Sequence, residues 1–87
     1  MMTAAPRYWQ HEQSGLLAPI VLAYLKGEPL SSSDIAIMRE YLRQWIYSEG
    51  FTGPQIKRLR VDVHSLTSRA GINNWIKRAV AAGADPL

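Results

Sequence analysis

The chain contains no cysteine. Disulfides, thiol nucleophiles and cysteine-ligated metals are therefore excluded, and with them a disulfide-stapled secreted scaffold. Histidine is scarce as well. Only His11 and His64 are present, whereas a zinc site needs three or four converging ligands. His11-Glu12 lacks the second histidine of a helical HExxH site. No GxSxG, phosphate loop or GxGxxG occurs, and Ser31 to Ser33 read as a helix cap rather than as nucleophiles. The longest apolar run, Leu16 to Leu25, has ten residues, about half of the ~20 needed to span a bilayer. Met1 to Gln13 holds no apolar run of signal-peptide length. The expectation is a cytoplasmic protein that is not an enzyme, carries no metal or cofactor and does not enter a membrane.

Strand signals are also missing. Alternation is brief, Leu59 to Val63 being the best case, and no Asn-Gly or Asp-Gly hairpin turn occurs. With 87 residues the chain is one domain, with an N-terminal segment over 1–13 and a tail over 84–87. A domain this small buries only roughly 60–65% of its unfolded surface. Its hydrophobic content of 47% is nonetheless that of a folded globular protein.

What the sequence does contain is helical punctuation. Ser14 as N-cap, Pro19 near the first turn and Gly27 beyond the end frame a helix near Leu16 to Lys26. Leu16, Leu17, Ile20, Val21 and Tyr24 share one face, but Leu22 and Leu25 do not, so this helix is apolar all round. Ser32 or Ser33 can cap a second helix running to about Ser48, with Asp34 at the positive end of its dipole. In it, Ile35, Met38, Leu42, Trp45 and Ile46 form a 3.6-residue stripe. Thr52-Gly53-Pro54 starts a third helix, with Pro54 at its first position. Ser65 or Thr67 opens a last helical region that ends at Gly83 and is interrupted at Gly71. The fold class expected is all-α, a compact bundle of about four short helices.

Charge is distributed unevenly. Residues 51–87 carry six cations against Asp62 and Asp85, a net +4. Residues 1–50 carry four cations against five carboxylates, a net −1. One half is suited to packing and the other to facing something acidic. In the last helix Asn73 and Lys77 are four apart, as are Asn74 and Arg78, which places two polar strips side by side opposite Ile72, Trp75, Ile76 and Ala79. Asparagine beside lysine or arginine is chemistry that reads base edges and holds phosphates. Lys57, Arg58, Arg60 and Arg69 extend this basic patch. A helix-turn-helix can be drawn with Leu66 to Ala70, a turn at Gly71 and Ile72 to Val80 as recognition helix. In that alignment Lys77 occupies a position where such motifs bury an aliphatic residue.

Two further groups are candidates for contact. Ile37 and Tyr41 lie off the main stripe of the second helix, flanked by Arg39 and Arg43, so either this helix is central or its second side meets another chain. Tyr8-Trp9 can pack back as an N-terminal clasp or stand out as anchors for a partner. Trp45 and Trp75 sit in helical stripes and read as core.

The whole-chain pattern resembles a group of small bacterial proteins often encoded in phages and other mobile elements. The matching pieces are Tyr8-Trp9, Tyr24-Leu25 with Gly27 and Pro29-Leu30, Arg39 to Ile46, Gly53-Pro54, Leu59-Arg60, Ile72 with Trp75-Ile76, and Asp85-Pro86-Leu87. The resemblance implies a non-catalytic protein that binds a host or phage macromolecule, including a host defence or regulatory complex. The alternative is a small helix-turn-helix-like nucleic-acid binder using Arg69, Asn73, Asn74, Lys77 and Arg78. A homodimer through the first or second helix is compatible with either.

Overall fold

The computed structural model describes residues 14–87, and Tyr8, Trp9 and His11 lie outside that range. Four α-helices follow one another: α1 Ser14–Leu25, α2 Ser32–Ser48, α3 Pro54–Asp62 and α4 Arg69–Ala81. A 3₁₀ turn, Val63–Ser65, extends α3, and no strand occurs among the described residues. The expected all-α bundle is what forms.

The caps explain most of the boundaries. After α1, Gly27 takes φ 78°. Its N–H reaches Tyr24 O at 3.1 Å, while Glu28 N–H reaches Ala23 O at 2.9 Å. This is a Schellman closure, which needs a left-handed residue at the glycine position. The same pair of bonds recurs after α4, from Gly83 to Val80 O and from Ala84 to Ala79 O. The cap of α2 is Ser31, one residue before the two expected serines. Ser31 Oγ accepts from Asp34 N–H at 3.0 Å, and Ser31 N–H donates back to the Asp34 carboxylate at 3.2 Å. Only Ser31 stands three residues before an acid, so only it can close this reciprocal box.

Two expectations about the last helix are corrected. Its cap is Ser68, not Ser65 or Thr67, and Ser68 Oγ accepts from Gly71 N–H at 3.0 Å. Gly71 neither bends nor breaks the helix. It lies in the first turn of α4, where a Cβ would meet Ser68 Oγ at 3.2 Å. The glycine thus gives room to the capping hydroxyl. Residues 66–68 form no helix before α4, Leu66 and Ser68 being extended, and Arg69 and Ala70 belong to the same helix as Gly71. The helix-turn-helix drawn with its turn at Gly71 does not exist.

Packing centres on α2. Ile35, Met38, Leu42, Trp45 and Ile46 are all buried, as their spacing predicts. Leu17, Val21 and Tyr24 of α1 cover one side, and Ile56, Leu59 and Val63 with Ile72, Trp75 and Ile76 of α4 complete the core. The rings of Trp45 and Trp75 meet edge to face at 6.3 Å, and Phe51 leans on Trp45 at 5.5 Å. Trp75 also donates its indole N–H to Leu59 O at 2.9 Å, which ties α4 to α3. The tail is not free. Ala84 and Pro86 are buried, and Tyr41 donates its hydroxyl to Pro86 O at 2.5 Å.

Trp75 therefore combines a fully buried ring with the bond that links two helices. Trp75→Ala is expected to lower unfolding stability by about 3–5 kcal/mol. Urea unfolding followed by far-UV circular dichroism measures it, with a lower midpoint and an unchanged slope expected.

Candidate functional site

The ten-residue apolar run explains the character of α1. The helix carries no charged residue, and its core side is Leu17, Ile20, Val21 and Tyr24. The other side remains apolar in water: Leu16 is 57% exposed, Leu22 45% and Leu25 60%. Beside it lies an open groove of about 350 Å³ between α1 and α2, lined by Gly15, Leu16, Pro19, Ile20 and Ala23 with Asp34 and Ile37. No helix among the described residues is long and apolar enough to cross a membrane.

The Ile37, Tyr41, Arg39 and Arg43 strip divides. Ile37 is half-buried and lines that groove, so it remains at a surface. Tyr41 does not: it is buried, with its hydroxyl held by Pro86, because the C-terminal tail folds back over this side of α2. Arg39 is half-buried and donates to Leu66 O at 2.7 Å, fixing the loop that leads to Ser68. Arg43 pairs with Glu40 on its own helix at 2.5 Å. The bonds from Arg43 and Gln44 lower the Glu40 pKa to about 2. That pair is half exposed on both sides, so it adds little to stability.

The basic patch divides in the same way. Arg60 lies at the end of α3 and reaches across to the end of α2. Its guanidinium donates to Phe51 O at 3.1 Å and more weakly to Ile46 O at 3.4 Å, and it stands over the Tyr47 ring at 5.7 Å. Arg69, in the first turn of α4, donates to Glu28 O at 3.2 Å and to Tyr24 O, and lies over the Tyr24 ring at 4.7 Å. Both arginines thus bind carbonyls at or just past a helix C-terminus, where the backbone dipole presents negative charge. Asn73 turns toward α1 and accepts the Tyr24 hydroxyl at 2.7 Å. Burial pushes the Tyr24 phenol up, and the Arg69 charge opposes that only in part. Arg60, Arg69 and Asn73 therefore belong to the scaffold and not to an outward reading face.

What remains outward lies on α3 and α4. Asp62 accepts from Arg78 at 2.8 Å and from Arg58 at 3.3 Å. Arg78 first, then the surrounding charge, holds the Asp62 carboxyl below the usual carboxylate range. The two arginines flank a groove of about 270 Å³ lined by Gln55, Arg58, Leu59, Arg78, Ala81 and Ala82. Asn74 and Lys77 are exposed one turn away along α4. Lys57 is exposed too, but it lies about 100° around α3 from Arg58 and outside the groove lining. The two adjacent amide-and-cation strips expected on α4 thus diverge. Asn73 faces α1, Arg78 faces α3, and only Asn74 and Lys77 stand between them.

His64 is exposed beside Tyr47, its Nε2 3.4 Å from the Tyr47 hydroxyl. No group of three or more His, Asp or Glu side chains placed to hold a metal occurs among the described residues. A comparison of the chain with protein-family models, curated proteins and solved structures finds no match.

If Arg60 and Arg69 hold backbone, changing their shape while keeping their charge must still be felt. Lysine cannot reproduce the planar fork that reaches two carbonyls. Arg60→Lys and Arg69→Lys are each expected to cost about 1.5–3 kcal/mol, the worth of a hydrogen bond made by a charged group. Lys77→Ala is expected to stay within about 0.5 kcal/mol, as for an ordinary surface change. Chemical denaturation of the three variants measures the difference.

Proposed function

We propose that this protein is a non-catalytic binding module that docks an acidic segment of a partner protein into the groove between α3 and α4. The observation that supports this reading is the Arg58–Asp62–Arg78 cluster at the groove's rim. Two cations share one carboxylate there, which leaves one positive charge unneutralised. The groove beside it has an apolar floor of Leu59, Ala81 and Ala82. A carboxylate next to an apolar side chain matches both features, and Asp62 holds the guanidiniums ready for it. A host or phage protein complex, such as a host defence or regulatory complex, is the partner that the resemblance to mobile-element proteins implies.

A second reading keeps nucleic acid as the partner. Asn74 and Lys77 favour it, since both are exposed on α4 beside Arg78. The division of the basic patch weighs against it. Arg60 and Arg69 are held by backbone carbonyls, and Asp62 leaves the Arg58–Arg78 pair a single unneutralised charge, enough for one carboxylate but few contacts for a run of phosphates.

Affinity capture from a bacterial lysate separates the two readings. Wild type, Arg58→Glu with Arg78→Glu, and Lys77→Glu are compared with and without nuclease. A stoichiometric protein that survives nuclease and is lost with the Arg58/Arg78 double variant is expected. Retention that nuclease abolishes, and that falls steeply as salt rises from about 50 to about 200 mM, contradicts it, because that slope marks phosphate contacts.

A further inference from the structure

The groove between α3 and α4 leaves the apolar side of α1 unexplained. We propose that this side of α1 is a self-association surface, pairing antiparallel with α1 of a second copy of this chain about a two-fold axis.

The first support is composition. A surface helix normally alternates an apolar face with a charged one. Here the outward side carries Leu16, Leu22 and Leu25 with no charge along the whole of α1. A contiguous apolar face of this kind marks an interface. The second support is shape. The face holds both a projection and a recess: Leu22 is exposed, and the groove that contains Ile37 opens beside Leu16 and Pro19. A surface with both parts can match itself across a two-fold axis, each copy supplying what the other lacks.

The third support is charge, and it selects the orientation. Lys26 is exposed just past the C-terminal end of α1. Asp34 lines the groove beside Gly15 and Leu16, at the N-terminal end of α1. With the two helices antiparallel, Lys26 of one copy approaches Asp34 of the other, and symmetry repeats the pair. The two helix dipoles then also lie antiparallel, the positive end of each beside the negative end of the other. A parallel pairing instead sets Lys26 against Lys26. The Lys26–Asp34 pair thus forms only in the antiparallel orientation.

Size sets the concentration at which to look. A helix of this length is about 18 Å long, so the contact falls at the small end of specific interfaces, below about 1,200 Å² in total. A dimer dissociating in the micromolar range is expected.

Sedimentation of the full chain from about 5 to about 500 µM tests the proposal. The expected result is a monomer–dimer equilibrium in wild type and a folded monomer in Leu22→Glu, with thermal unfolding confirming the fold. Lys26→Glu, which leaves the apolar face intact, is expected to weaken the dimer about 10-fold, because two-fold symmetry counts the altered pair twice. A wild type that stays monomeric throughout overturns the proposal and assigns the face to residues 1–13 or to a different protein. A folded Leu22→Glu that still dimerises overturns it too. Neither result touches the α3–α4 groove, which lies on different helices.

Discussion

Guanidinium groups close the open backbone ends of this small bundle. An α-helix leaves its last four carbonyls without partners, and a domain of this size has little core with which to shield them. The Schellman bonds satisfy some. Arg69 from α4 binds Tyr24 O in the last turn of α1 and Glu28 O just past it, Arg60 from α3 binds Phe51 O beyond α2 and more weakly Ile46 O in its last turn, and Arg39 from α2 fixes the loop before α4. The basic second half thus grips the apolar first half through neutral acceptors. A carbonyl neutralises no charge, so the chain keeps its net positive charge while the guanidiniums are already engaged.

That division decides how the charge can serve function. A cation bound to two carbonyls and stacked on a tyrosine, as Arg69 is, is not free to follow a phosphate backbone. In the basic half, the cations that remain at the surface are Arg58 and Arg78 around Asp62, Lys77 on the outer side of α4 and Lys57 on α3. They form a smaller patch than the sequence total suggests, with an apolar groove in its middle. Such a patch suits an acidic protein segment better than a polyanion. The uncharged side of α1 lies on the other half of the chain, so two separate contact surfaces can work at once. If α1 pairs two copies, each dimer presents two α3–α4 grooves, the arrangement that bivalent engagement requires.

Much of the fold was legible from residue spacing. The stripe from Ile35 to Ile46 gave the core face of α2, and Gly27 and Gly83 marked helix ends, because both signals are local. The misses have local causes too. Three consecutive serines stand at the start of α2, and only the distance to Asp34 distinguishes Ser31 as the cap. Gly71 reads as a break by propensity, while its reason is the nearness of Ser68 Oγ. The functional residues were harder. Tyr41 has the spacing of a second apolar strip, and nothing along α2 signals that Pro86 returns to cover it. Arg69 and its acceptor Tyr24 O are 45 residues apart, and a backbone carbonyl leaves no mark in a sequence. Charge asymmetry therefore located the basic half correctly but could not show which cations were engaged.

The behaviour of the arginine side chains in solution tests this division directly. Nitrogen-15 NMR of the terminal guanidinium N–H groups compares Arg60 and Arg69, whose Nη2 atoms donate to partly buried carbonyls, with Arg58, whose side chain is 73% exposed. Bonds to carbonyls in partly buried sites are little screened, whereas an exposed ion pair weakens with salt. The prediction is slow hydrogen exchange at Arg60 and Arg69, unchanged between about 0.05 and about 0.5 M salt, with fast exchange at Arg58. Equally fast exchange at all three would contradict it and return Arg60 and Arg69 to the free basic surface.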